Sequence, residues 1–260
     1  MEALYTFTEL TATQFWLLGA ISTLAGVVRG FSGFALSAIV MASAVTFLPP
    51  VQLIPICFWL ELCASILMAK SGWQEADRKI VFGLVIGSAV GVPIGLALTT
   101  NIPVDASKLI VLILVMVLAL TQLAKIRIPF FATKAGLYTA GLSAGIASGL
   151  ASVVGMVVAL FVLSQDAPAR KMRAALALFL FISMATSIIY LFVFGVMTTT
   201  ATARAATFAL PCFIGVFIGQ RLFTPKFETY YRPFCLTLLT GLALAGLIRT
   251  SLSWKVALCR

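Results

Sequence analysis

Residues 80–104 read IVFGLVIGSAVGVPIGLALTTNIPV, a run that contains no charged side chain. About 20 helical residues cross the hydrocarbon core of a bilayer, which is roughly 30 Å thick, so this run is long enough to span a membrane. Lipid offers the backbone no hydrogen bonds, and only α-helices and closed β-barrels satisfy their own. The run lacks the alternation of apolar and polar residues that a barrel strand would show. It therefore predicts a transmembrane α-helix.

Similar runs occupy most of the 260-residue chain, of which 62% is hydrophobic and only 10% is charged, with a mean hydropathy of +1.12. A soluble domain of this size would carry about 25% charged residues. We therefore predict an all-α integral membrane protein that forms a single membrane domain over residues 1–260. The uncharged runs are 10–28, 30–60, 80–104, 135–165, 174–203, 205–220 and 233–248.

The distribution of charge argues against other classes of protein. The net charge is +10, but the basic residues lie between the apolar runs, as membrane topology requires. They form no cluster interleaved with aromatic residues, so we expect no nucleic-acid partner. No Lys or Arg precedes Arg29, and we therefore expect no cleaved signal peptide, which would begin with basic residues.

The residue types that support catalysis are largely missing. The sequence contains no histidine, which excludes histidine-dependent triads, histidine metal ligands and histidine proton relays. It also lacks a phosphate-binding loop and a pair of intramembrane aspartates, and its five cysteines form no CxxC pair. We predict that the protein is not an enzyme and uses no metal or cofactor. Without an ATP-binding motif, any transport must be driven by gradients.

Landmarks recur in the same order along the chain, which indicates an internal duplication. We predict two homologous halves, residues 12–124 and 135–248. Each half would contain a broken or re-entrant helical segment followed by three transmembrane helices. The matching segments are AGVVRG (25–30) with AGIASG (144–149), Pro50 with Pro168, and GVPIG (91–95) with GVFIG (215–219).

Each half opens with an apolar segment that is too long for one simple span. Segments 12–48 and 135–165 would measure about 55 and 46 Å as single helices. Split at Arg29–Gly33 and at Ser148–Gly149, they give pieces of about 13 to 17 residues, each short for a full crossing. Such pieces predict broken or re-entrant helices, which membranes tolerate where they line a cavity.

The basic residues favour an inverted arrangement of the two halves. If each opening segment returns to the side on which it starts, the halves are inverted and the two sides carry twelve and five Lys or Arg residues, Arg29 not counted. If each opening segment crosses once, the halves are parallel and the numbers are ten and seven. The positive-inside rule favours the first arrangement. It places the dozen basic residues in the cytoplasm and the N-terminus outside.

The first break, RGFSGF at residues 29–34, is the strongest candidate site. An arginine between apolar stretches is costly in lipid, so it should face protein, water or a ligand. Its planar fork suits an oxyanion, and the half-helix that follows would aim free N–H groups at the same place. The alternative is that Arg29 marks a tight cytoplasmic turn between two spans. The candidate anion-binding residues are Arg29, Gly30, Phe31, Ser32, Gly33 and Phe34.

The second break, SGLAS at residues 148–152, carries no charge but offers two hydroxyl groups and an open backbone. If the halves are inverted, the two breaks approach the midplane from opposite sides and can enclose one site. Glycines spaced by four residues from 141 to 149 would also suit close packing between helices. The candidate substrate-binding residues here are Ser148, Gly149 and Ser152.

Glu61 is the acidic residue that lies deepest inside an apolar run. Carboxylates within membranes usually have a function, as proton carriers or as partners of an arginine. Glu61 is therefore a candidate for coupling or gating, and it could pair with Arg29. The alternative is a structural hydrogen bond to a hydroxyl group of a neighbouring helix.

These features together resemble the sulfite exporter TauE/SafE family. The resemblance extends over roughly residues 15–248 and rests on RGFSGF, the duplicated breaks, the proline beyond each break and the GVPIG and GVFIG helices. It implies secondary transport of sulfur-containing anions across a bacterial inner membrane. Many members have a more glycine-rich first break than the FSGFALS found here at 31–37, so the resemblance does not specify the anion.

We therefore predict a gradient-driven transporter of small sulfur-containing oxyanions, such as sulfite or organosulfonates, with the proton as a candidate coupling ion. The alternative is a passive channel for a small anion or a weakly ionised solute. A subunit of an enzyme or assembly is a third class, and it is disfavoured because the sequence shows no catalytic constellation.

Overall fold

The computed structural model describes residues 8–126, 128–164, 169–222, 236–248 and 250. In these ranges the chain forms α-helices and one short 3-10 helix, Pro129–Ala132. The α-helices are α1 Ala12–Ser32, α2 Leu36–Ala44, α3 Pro50–Glu75, α4 Arg78–Asn101, α5 Val104–Leu123, α6 Lys134–Ala151, α7 Val154–Leu163, α8 Ala169–Val193, α9 Thr199–Leu222 and α10 Leu236–Ile248.

Six of these helices are long and apolar enough to cross a membrane: α1, α3, α4, α5, α8 and α9. They confirm the predicted all-α integral membrane protein with several spans. The uncharged run 80–104 contains most of α4. The last expected span, 229–248, begins outside the described residues, and its part from 236 onwards forms α10.

Both opening segments are broken, the first at Gly33, the last residue of the predicted Arg29–Gly33 break, and the second at Ser152, beyond the predicted Ser148–Gly149. Arg29 lies in the last turn of α1, and Ser148 and Gly149 lie within α6. The breaks come a few residues later, because Gly33 and Ser152 adopt left-handed conformations, with φ of 79° and 55°, that end the two helices. The prediction that each segment splits into two short pieces of similar length was wrong. Each segment is one long helix of 21 or 18 residues followed by a half-helix of 9 or 10.

Two pairs of helices pack closely through glycines. Helix α1 packs against α9, and α4 packs against α6. A Cβ atom on Gly30 would collide with the backbone of Val216, and one on Gly91 would collide with the backbone of Leu142. Small residues permit this approach of two backbones. The opening helix α1 thus packs against α9 near the other end of the chain, and α4 packs against the second opening helix, α6.

Hydrogen bonds between helix ends define the path of the chain. Arg204, near the start of α9, donates to the Thr8 carbonyl oxygen (2.7 Å) and to Gln52 Oε1 (2.8 Å), so α1, α3 and α9 begin on one side of the bundle. The Ile128 N–H, ahead of α6, donates to Ser164 Oγ (3.1 Å) just beyond α7. Each opening segment therefore returns to the side on which it begins. Inverted halves require this path, and the duplication of 12–124 in 135–248 stays a prediction.

Candidate functional site

Arg29 is fully buried at the first break, where it forms an ion pair. Its Nε–H donates to Glu61 Oε2 at 2.9 Å. One terminal nitrogen donates to the carbonyl oxygen of Gly33, and the other donates to Ser65 Oγ at 3.3 Å. The sequence left open whether Glu61 pairs with Arg29, and the structure confirms that pairing.

The second carboxylate oxygen of Glu61 binds the start of the half-helix α2. Glu61 Oε1 accepts hydrogen bonds from Ser37 Oγ at 3.0 Å and from the Ser37 backbone N–H at 3.4 Å. The N-terminal end of a helix carries free N–H groups and favours negative charge. Glu61 therefore occupies, with an internal carboxylate, the position at which the sequence predicted an external anion.

The remaining residues of RGFSGF hold this break in shape. Ser32 Oγ lies 2.7 Å from the carbonyl oxygens of Val28 and Phe34, to which it can donate. Gly30 contacts α9, and Phe31 and Phe34 are buried in the core. Arg29, Gly30, Phe31, Ser32, Gly33 and Phe34 are thus brought together, but none of the six lines the cavity described next.

A cavity of about 30 Å³ lies beside the second break, between α3, α4, α6 and α8. One water molecule needs roughly 10–15 Å³ by this measure, so the space suits a small solute. Three of the sequence-predicted residues line it: Ser148, Gly149 and Ser152. Glu61 on α3 also lines it. The cavity thus joins the second break to the ion pair of the first.

The polar lining of the cavity consists of hydroxyl groups and one carboxylate. Within the described residues, the hydroxyls of Ser148, Ser152 and Ser187 have no hydrogen-bond partner, whereas Ser183 donates to the Leu180 carbonyl oxygen at 3.1 Å. Val154, the first residue of α7, also lines the cavity, and no side chain caps this helix. Hydroxyl donors and an open helix end are groups that hold an anion.

Sequence reasoning missed Ser183 and Ser187, which α8 contributes to the cavity wall. They lie four residues apart and therefore on one face of the helix. Two hydroxyl residues with this spacing inside the apolar run 174–203 are the signal that could have identified them.

The described residues provide no group of three His, Cys, Asp or Glu side chains that could hold a metal ion. Cys57, Cys63 and Cys212 are free thiols within the helices.

Among curated proteins and among solved structures, none matches this chain. A family model does match: the sulfite exporter TauE/SafE model covers residues 18–246, which is most of the sequence. With its apolar spans and broken helices, the chain belongs to the sulfite exporter TauE/SafE family of membrane transporters.

Proposed function

We propose that the protein is a secondary transporter, driven by an ion gradient, for a small sulfur-containing oxyanion such as sulfite or an organosulfonate. We place it in a bacterial inner membrane, with its N-terminus in the periplasm and its more basic side in the cytoplasm. Family membership supports the substrate class, and the twelve-to-five distribution of basic residues supports the orientation.

The observation that carries this proposal is the hydroxyl-lined cavity beside the second break, which Glu61, the partner of Arg29, also lines. The hydroxyls of Ser148, Ser152 and Ser187 line it and are available as donors, and the oxygens of sulfite or a sulfonate are acceptors that such donors fit. Arg29 supplies the nearby positive charge from behind Glu61. Residues 30–34 act indirectly, because they hold Arg29 and the start of α2 in place.

The return of each opening segment to its own side supports alternating access. Inverted halves around a midplane site allow one half to rock against the other, so that the site opens to each side in turn. A passive channel would instead need a continuous path.

Flux of an anion panel into proteoliposomes, with and without a pH gradient, tests the proposal. Wild-type protein should give saturable sulfite or sulfonate flux that responds to an imposed gradient. Arg29→Ala should abolish it, because the change leaves the Glu61 carboxylate unpaired in the cavity wall. Full activity of Arg29→Ala, or non-saturable flux in the wild type, would contradict the proposed transporter.

A further inference from the structure

We infer that Glu61 takes up one proton when the anion enters the cavity, so that the anion replaces Glu61 as the counter-charge of Arg29. The inference rests on the proposed function and deepens it, since it assigns the mechanism by which proton and anion move together. It makes the protein a symporter in which both ions travel in the same direction.

The geometry places a single carboxylate between the arginine and the cavity. Glu61 bonds Arg29 through Oε2 at 2.9 Å and Ser37 through Oε1 at 3.0 Å, and it also forms part of the cavity wall. Arg29 is fully buried and does not line the cavity. An anion in the cavity therefore meets the negative charge of Glu61 first.

Two negative charges this close, away from bulk water, disfavour each other strongly. Protonation of Glu61 removes the repulsion and leaves Arg29 without a neutralising partner, so the bound anion restores the balance of charge. The neutral carboxyl group also gains an O–H donor that can face the anion. The proton comes from water on the side from which the anion enters, and no bond other than this O–H is formed.

The other groups around Glu61 do not provide a competing charge. Ser37 on α2 and the cavity serines are neutral hydroxyls. Within the described part of the chain, Cys57 on α3 and Cys212 on α9 are the further titratable groups whose charge would interact with that of Glu61. Both are buried thiols that do not line the cavity, so Glu61 is the ionisable group in the cavity wall.

The test is the pH dependence of sulfite binding to purified protein in detergent, by isothermal titration calorimetry. Binding coupled to one proton strengthens as pH falls, by up to about tenfold per pH unit. Sulfite itself changes protonation near neutral pH, and this contribution is the same for wild type and variants. We therefore compare the slope of log Kd against pH between the wild type and Glu61→Gln. The slope of the wild type should be larger by up to about one unit of log Kd per pH unit.

Glu61→Gln leaves Arg29 without its partner, and this favours misfolding. A second variant therefore provides a test that does not depend on the folding of Glu61→Gln. The pair Arg29→Met with Glu61→Leu removes both charges together, and such replacements are often tolerated. It should bind sulfite more weakly and with the slope of sulfite alone. Equal slopes in the wild type and in either variant would overturn the coupling and leave the proposed transport intact. Absence of sulfite binding to the wild type would instead refute the proposed function.

Discussion

Arg29 and Glu61 neutralise each other inside the membrane, and neither has access to enough water to stand alone. Breaking a buried pair from one side costs about 3–5 kcal/mol. We expect Glu61→Ala to lower the free energy of unfolding by about that amount, because it leaves the fully buried guanidinium of Arg29 uncompensated. Thermal or denaturant unfolding in detergent measures this. The double variant Arg29→Met with Glu61→Leu, which removes both charges, should lose much less free energy of unfolding. Equal losses in this variant and in Glu61→Ala would show that the uncompensated charge is not the cause.

The serines of the cavity lead to a separate prediction about affinity. Ser187 lines the cavity and has no hydrogen-bond partner among the described residues. A hydrogen bond to a charged group contributes about 1.5–3 kcal/mol, so Ser187→Ala should raise the KM for sulfite by about tenfold or more. Sulfite flux in proteoliposomes measures it.

The matched control is Ser143→Ala on α6. Ser143 is exposed, and its hydroxyl donates to the Ala140 carbonyl oxygen at 3.0 Å, away from the cavity. Ser143→Ala should leave the KM for sulfite unchanged. If both variants have the KM of the wild type, Ser187 does not bind the anion.

At this scale the sequence indicated which residues matter but not what each does. Arg29 and Glu61 could be identified because charge inside an apolar run is costly. Their pairing across 32 residues is a tertiary contact that no local pattern specifies. The same holds for Ser183 and Ser187, which resemble ordinary helix serines until α8 packs against the second break.

The elements are held by close helix pairs, and this makes their glycines sensitive to substitution. A Cβ atom on Gly91 would collide with the backbone of Leu142, which cannot move without separating α4 from α6. Overpacking usually costs about 1–3 kcal/mol, and we expect Gly91→Ala to lie at or above the upper end of that range. The measurement is the unfolding midpoint in detergent.

Gly241 provides the control for this substitution, since it lies in α10 with no atom of the described residues within 4 Å of an added Cβ. Gly241→Ala should be neutral, or stabilising by up to about 1 kcal/mol, because alanine favours the helix. A Gly91→Ala protein as stable as Gly241→Ala would contradict the close packing.

The spans could be predicted because the bilayer imposes their length and apolar character. The end of the first broken helix lies within the predicted Arg29–Gly33 break, but the end of the second could not be predicted. A helix continues past Arg29 and past Ser148 because nothing in those residues stops it. It ends at Gly33 and Ser152, where the backbone turns left-handed. For Gly33 the residue type suggests the turn. For Ser152 it does not, because a serine with φ of 55° is uncommon.

For the whole molecule, the path of the chain predicts which ends are exposed on which side. Thr11 and Thr133 precede α1 and α6, the first helices of the two predicted halves, and both are exposed. In a cysteine-free background, Thr11→Cys should react with a membrane-impermeant maleimide added to right-side-out spheroplasts. Thr133→Cys should react only after lysis. Labelling of both positions from the same side would mean that the halves are not inverted.

The most direct test of the cavity as the transport site is to fill it. Ser148→Leu places a bulky side chain in a space of about 30 Å³, whereas Ser143→Leu puts the same side chain on an exposed face of the same helix. We predict that sulfite flux in proteoliposomes falls by about tenfold or more in Ser148→Leu, as expected when a packed site cannot accommodate added volume. Ser143→Leu should transport like the wild type, with both variants folded by thermal unfolding. Wild-type flux through folded Ser148→Leu would show that the anion does not pass through this cavity.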